Sequence, residues 1–430
     1  MKKIVILGAG LAGLSTAYHL QNGCCVYEQE KTPGGLARTE HINGFSFDWT
    51  GHLLHFRSDY VKKLINNRLL PGVFKSHKRN AWIFSKNTYT QYPFQANTFG
   101  LPVNVIKKCI LGRVKATLRQ KSKKPINLKD WMLENFGQGI TKYFMYPYNH
   151  KFWTVPPEEL ISDWTLDFVP QVGIKDVLNG AFSPKMKPFG YNSEFWYPKK
   201  GGIQQIADTF VEKVQRVNLR YQIKAIDIKK RIVYFIDKKS AEFTDLVLTL
   251  PLIEFKNLIV NELPQNVSDA FSKLKYISIF NMNFGIKRGK ISDKHWVYFP
   301  EDKFCFFRVG FPMNFSSDVT PQDMSSIYTE ISYSPAKPLK KKGIRERIIK
   351  DLINAKILTK DDEILAEHIN DIKYAYVVYD HNYCQSTKII NEFLKLNNIY
   401  CAGRFGRWKY MSMEDVILDG KNISEQINRV

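Results

Sequence analysis

Residues 3–28 read KIVILGAGLAGLSTAYHLQNGCCVYE, and their order decides the fold. The apolar run 3–7 reads as a short buried strand. Gly8-Ala9-Gly10-Leu11-Ala12-Gly13 follows at once, and LSTAYHLQNG reads as a helix that stops at Gly23. CCVYE then forms a second strand closing on Glu28. Strand, glycine turn, helix, strand and terminal acid together make a Rossmann-type dinucleotide-binding unit. Gly8 permits the tight turn, Gly10 lets the backbone approach a pyrophosphate, and Gly13 lets helix and strand pack closely. The pyrophosphate would rest at the positive end of the helix, and Glu28 would accept hydrogen bonds from ribose hydroxyls. Met1-Lys2-Lys3 ahead of this run has the outline of a signal peptide. No small-residue cleavage site follows, and the glycines keep Rossmann spacing, so the segment reads as folded domain.

The chain around this unit has 430 residues, with 63 Lys plus Arg against 41 Asp plus Glu, for a formal charge of +22. Hydrophobic residues are 44% and charged residues 24%, which excludes a disordered or collagen-like chain. The length allows two or three domains at about 150 residues each. Aromatic residues reach 14%, and that excess, like the charge, needs a cause. The cysteines at 24, 25, 109, 305, 384 and 401 form no CxxC motif, so a reduced, cytoplasmic setting is expected and no metal site is. No window approaches the roughly 18 apolar residues of a spanning helix.

Beyond Glu28 lies a second glycine turn, Gly34-Gly35, with Arg38 three residues on. Its backbone donors and guanidinium suit a diphosphate. Phe45-Ser46-Phe47-Asp48 reads as a strand leading to Trp49-Thr50-Gly51-His52. GxGxxG, a strand-ending Glu, GGxxR and a strand-to-Gly-His turn resemble the flavin-containing amine oxidase and protoporphyrinogen oxidase superfamily. Within it, the pattern is most similar to UDP-galactopyranose mutase-like proteins. The resemblance implies FAD in an extended pose, with Gly51 and His52 in a short loop over the isoalloxazine and His52 a catalytic candidate.

Two further stretches carry the mutase resemblance. YPFQANTF (92–99) is one, and YNHKFW followed by Pro157-Glu158-Glu159-Leu160 is the other. The second implies Tyr148, Lys151 and Trp153 as substrate-binding residues, with the tryptophan region stacking a base. One departure stands out. Mutases follow this stretch with an arginine for the substrate diphosphate, and here residues 166–172, LDFVPQV, contain none. Either Lys175, Lys151 or Arg308 stands in, or the substrate is not a nucleotide sugar. Arg308 sits amid apolar neighbours in FCFFRVG and is a candidate anion ligand and catalytic residue.

The remaining motifs imply a return to the cofactor domain. Tyr197-Pro198 with Gly201-Gly202 opens it, residues 219–235 read as two strands around a Lys-Lys-Arg turn, and 245–251 read as a sheet strand. The backbone near Ile226 is a cofactor candidate by resemblance. From about 276 to 335, alternating apolar and polar residues predict a mostly antiparallel sheet. NIYCAGR (398–404) ends a strand, and a helix is expected from about 413. Gly403, Arg404 and Met413 are thereby cofactor candidates, and Tyr410 matches an aromatic that precedes the last helix in mutases.

The fold class expected is α/β. A Rossmann-type FAD-binding domain is joined to a substrate domain of mixed, mostly antiparallel sheet plus a helical insertion. Its FAD-binding parts are 1–75, 196–260 and 391–430. Its substrate parts are 76–195, helical and aromatic-rich, and 261–390, the sheet. The basic segments 105–124 and 338–350 read as solvated helix faces. For 105–124 the alternative is an anionic partner or peripheral contact at the inner membrane surface. No nucleic-acid-binding module is present. Three functions follow from the resemblance. The first is a flavin-dependent mutase (an isomerase) acting on a nucleotide sugar in cell-surface polysaccharide biosynthesis. The second is a flavin oxidoreductase of amine oxidase, protoporphyrinogen oxidase or desaturase type, and the third a flavoprotein without turnover.

Overall fold

A computed structural model of the chain describes residues 2–119, 125–184, 189–190 and 193–429. Strand Ile4–Leu7 is buried at all four positions because it has parallel neighbours on both sides. The sheet runs in the order Ile399–Cys401, Asp245–Leu248, Ile4–Leu7, Cys24–Tyr27, Val217–Asn218, with every pairing parallel. Continuous apolar runs such as IVIL and DLVL are what a sheet covered on both faces requires. Helices Leu11–Leu20 and Met413–Arg429 pack together on it. Strands from 1–75, 196–260 and 391–430 thus meet in one sheet.

The second sheet has seven strands. Its order is Ile364–Val377, Tyr276–Ile286, Ser325–Tyr333, Arg308–Gly310, Trp296–Tyr298, Ala81–Ser85, Thr88–Gln91. All neighbours are antiparallel except Trp296–Tyr298 with Ala81–Ser85. The alternation read from 276 to 335 is this sheet, and residues 81–91 extend it from the other substrate segment. The Lys-Lys-Arg turn joins strands Ile223–Asp227 and Ile232–Phe235 in a separate three-stranded sheet.

The helical insertion contains Val103–Leu118, Leu128–Ile140, Tyr146–Trp153 and Ile174–Phe182. The first two cross at glycines: a Cβ at Gly139 would lie 2.2 Å from the Lys108 carbonyl oxygen, and one at Gly137 2.0 Å from that of Gly112. Much of the aromatic excess is plain core here, since Trp131, Phe136, Phe144 and Trp153 are all buried. Residues 120–124, the end of the basic segment, and Tyr191 lie outside the described residues.

Candidate active site

A cavity of about 710 Å³ runs between the two sheets, within the range of small-molecule and cofactor sites. One end is the first glycine turn. Helix Leu11–Leu20 begins there with Gly10 as its cap residue, no side-chain cap and no acid in its first turn. Leu11 and Ala12 are buried, so the orphan amides of a sheltered helix start face the cavity and call for an anion. Gly10 lines the same end. A Cβ built on it meets nothing nearer than Gly35 Cα at 3.8 Å, so protein packing does not demand the glycine. The space it leaves is the ligand's. Gly8 and Gly13 differ: a Cβ on Gly13 would sit 2.1 Å from the Gly8 carbonyl oxygen, which is the close helix–strand contact read from the motif.

Glu28 is buried at the end of its strand. One carboxylate oxygen accepts from the Ala9 amide at 2.8 Å and the other from the Glu30 amide at 3.0 Å. The carboxylate is thus fixed in place with lone pairs to spare. Arg38 is buried with its guanidinium 4.7 Å from the centre of the Trp49 ring. Its Nε has no hydrogen-bond partner and its ion pair with Glu30 is 3.9 Å long. A buried, unpartnered guanidinium nitrogen beside a glycine turn is the second mark of a missing anion. The open Gly10 cradle, the uncapped helix and Arg38 together fit a bound dinucleotide.

The cavity's other half is aromatic and cationic. Strand pairing sets Arg308 opposite Glu330, and the guanidinium donates to both carboxylate oxygens: Nη2 to Oε1 at 2.8 Å and Nε to Oε2. Burial alone would lower the Arg308 pKa, but Glu330 beside it holds it well above the ordinary value. Arg404 lies 4.8 Å from the Tyr410 ring centre and 5.3 Å from that of Tyr376. It donates to the carbonyls of Met411 and Ala375, and among the described residues no carboxylate pairs with it. His52 lines the cavity with its pKa lowered to about 4, first by burial and then by the Arg404 charge. It is therefore neutral at pH 7. Burial also raises the phenol of Tyr376, to about 12, and that of Tyr328 behind the wall, so both stay protonated and can donate hydrogen bonds.

Helix Met413–Arg429 aims its first turn at the same space. Ser412 caps it reciprocally, its hydroxyl accepting from the Asp415 amide at 3.3 Å while Asp415 accepts from the Ser412 amide at 2.8 Å. Glu414, 1% exposed, accepts from the amides of Arg57 and Ser58 and ties the loop after His52 to this helix.

Gly8, Gly10, Glu28, Gly35, Arg38, Gly51, His52, Arg308, Gly403, Arg404, Tyr410 and Met413 all border the cavity. Six residues singled out from sequence do not: Gly13, whose part is the helix–strand contact, Lys175, and the four that follow. The Lys151 ammonium is buried and donates to the carbonyls of Phe299 (2.9 Å), Phe304 (3.0 Å) and Glu301, so it ties down a loop instead of reaching substrate. Burial lowers its pKa to about 8. Trp153 is core, packed edge-on against Phe152 and Trp164. Ile226 is fully buried in the three-stranded sheet, and its carbonyl accepts from the Val260 amide at 3.1 Å. Tyr148 lies behind the wall, 5.5 Å edge-on to Tyr298, which does line the cavity. Lys175 is exposed and outside the cavity, so of the three stand-ins for the absent arginine only Arg308 reaches it. Sequence reading missed Trp49, Thr249, Tyr298 and Tyr376. The repeated tyrosines of KYAYVVY, alternating along a strand, were the available signal for Tyr376.

The family described as Flavin containing amine oxidoreductase matches residues 11–428. The fold superposes on the crystal structure of a reduced UDP-galactopyranose mutase with a TM-score of 0.95 and 25% identity, over 100% of this chain and 96% of that one. A putrescine oxidase bound to putrescine superposes with a TM-score of 0.68 and 13% identity over 100% and 99%. An L-amino-acid oxidase of Crotalus adamanteus is 26% identical over 249 residues, 53% of this chain and 45% of the relative. The match thus spans less than half the length of that curated relative.

Proposed function

The chain belongs to the flavin-containing amine oxidoreductase family and takes FAD as its cofactor, and on that premise we propose that it is a flavin-dependent mutase acting on a nucleotide sugar. The observation that carries the reading is likeness over the whole chain: the mutase aligns end to end with a TM-score of 0.95, against 0.68 for the putrescine oxidase. Cell-surface polysaccharide biosynthesis, in the cytoplasm, is the setting we propose with it. Gly10, the amides of Leu11 and Ala12, and Arg38 would hold the FAD pyrophosphate, and Glu28 its ribose. Bound FAD supplies a ring that is electron-rich when reduced and a hydride acceptor when oxidised.

The chain's own residues do the rest. Arg308 and Arg404 bring two guanidinium groups to one wall, where they would hold the anionic half of the substrate. Glu330 cancels the first charge, so the wall carries one net positive charge and not two. That is a weaker diphosphate clamp than two free arginines, and it offsets the missing arginine only in part. Neutral His52 can donate or accept one hydrogen bond without adding a third positive charge. Tyr376 and Tyr410, whose rings stack on each other with centres 5.6 Å apart, would offer hydroxyls and ring edges to a sugar or base. Anaerobic, reduced protein incubated with UDP-galactopyranose should convert part of it to a ring isomer separable by chromatography; no conversion, and no binding of any UDP-hexose, would end the reading.

A second reading is supported by the L-amino-acid oxidase similarity: a flavin oxidoreductase oxidising an amine or a flat apolar substrate in the aromatic half of the cavity. Oxygen uptake dependent on such a substrate would favour it.

A further inference from the structure

We propose that the solvent face of helix Val103–Leu118 docks this protein on an anionic lipid bilayer. Residues 103, 107, 111, 114 and 118 fall on one face of a 3.6-residue helix. They are Val103, Lys107, Leu111, Val114 and Leu118. The opposite face already has its partner: Val105, Cys109 and Ala116 are buried, and Gly112 meets the backbone of helix Leu128–Ile140. An apolar outer ridge therefore has no role in the fold. Val103 is 78% exposed, Leu118 82% and Leu111 48%. At the start of the helix the Phe99 amide donates to the Gly180 carbonyl at 2.9 Å, bringing in Phe182, itself 75% exposed.

The charge identifies the occupant. From Tyr60 to Lys129 the sequence has sixteen Lys or Arg and no Asp or Glu, so this stretch carries most of the +22. Lys107 lies in the ridge, and Lys108, Lys115 and Arg119 lie beside it, all exposed. A second copy of the chain would bring the same positive charges face to face, which rules against self-association through this ridge. Single apolar side chains projecting from a convex, basic helix are the form of an interfacial membrane helix, in which lysines reach the headgroups while leucines enter the acyl boundary. Among the described residues no helix is long and apolar enough to cross a membrane, so attachment would be at the surface.

FAD-loaded full-length protein would be sedimented with vesicles of phosphatidylcholine alone and of phosphatidylcholine with 30% phosphatidylglycerol. Binding is expected to the anionic vesicles only, and to weaken at 0.5 M salt. Removing two charges as Lys107→Ser with Lys115→Ser should lower the partition about 25-fold, near five-fold for each. Leu111→Ser with Leu118→Ser should weaken it too. Flavin absorbance and melting temperature report that the variants fold, and the wild-type comparison stands without them. No sedimentation with either vesicle, equal binding to both, or a wild-type dimer that the leucine variants dissociate would each overturn the proposal.

Discussion

Glu330→Gln separates the two roles assigned to the Arg308–Glu330 pair. Glu330 is completely buried, accepts from Arg308 through both oxygens, and lies opposite it in the strand register. The substitution keeps the shape and one acceptor but leaves the guanidinium uncompensated. Breaking a buried pair from one side costs about 3–5 kcal/mol, and the lower end applies because the Arg308 side chain keeps some access to the cavity. At about 0.9 kcal/mol per kelvin of unfolding entropy for a chain of this length, 3 kcal/mol is a fall of about 3 °C in melting temperature. The freed charge should have the opposite effect on an anionic ligand. Removing an opposing charge roughly 10 Å away, at an effective dielectric of about 20, is worth about 1.7 kcal/mol, so UDP should bind on the order of tenfold tighter. Thermal melts of the FAD-loaded protein and calorimetric titration with UDP measure both. An unchanged melting temperature together with unchanged or weaker UDP binding would refute the idea that Glu330 neutralises a substrate-facing cation.

Three other substitutions or conditions probe the rest. Gly10→Val would put its Cβ into the space left for the pyrophosphate, 3.8 Å from the nearest protein atom, Gly35 Cα, so the variant should fold, as its melting temperature would report, but lose its flavin colour on gel filtration; retained FAD would contradict the cradle. Lys151→Met strips a charged donor from at least three carbonyls and should destabilise the protein by about 3 kcal/mol in urea unfolding while leaving KM unchanged; a raised KM with intact stability would return Lys151 to the substrate. His295 accepts from the Asn80 amide through Nδ1 at 3.0 Å, and burial lowers its pKa to about 4. The unfolded chain, with an ordinary value near 6.5, takes up the proton first as pH falls. Stability present above that value is therefore lost between about pH 6.5 and 4, by about 2 kcal/mol at pH 5. His295→Gln should lack that part of the acid sensitivity.

The cofactor half was legible because its signals are local. A glycine turn, the helix it starts and the acid that ends the next strand sit within residues 8–28, and backbone geometry alone links them. The same holds for Gly35 with Arg38 and for Gly403, Arg404 and Met413. The substrate half depends on contacts that sequence spacing does not encode. Lys151 reads as a ligand in YNHKFW, yet it lies nearly 150 residues from the carbonyls that bind it. Arg308 was picked out as an arginine among apolar residues, but its partner Glu330 comes from a neighbouring strand 22 residues on. Trp153 could not be told from a stacking platform, since an aromatic side chain fills a core and holds a base by the same surface.

If a nucleotide sugar meets the flavin in this cavity, the reduced cofactor will register its arrival. The most direct measurement is an anaerobic titration of the dithionite-reduced, FAD-loaded protein with UDP-galactopyranose, followed by flavin absorbance, with the oxidised protein run alongside. A saturable spectral change is expected in the reduced state, with UDP-galactopyranose partly converted to its ring isomer at the end. No change in either redox state, with oxygen uptake on adding an amine or amino acid to the aerobic protein, would contradict the nucleotide-sugar reading.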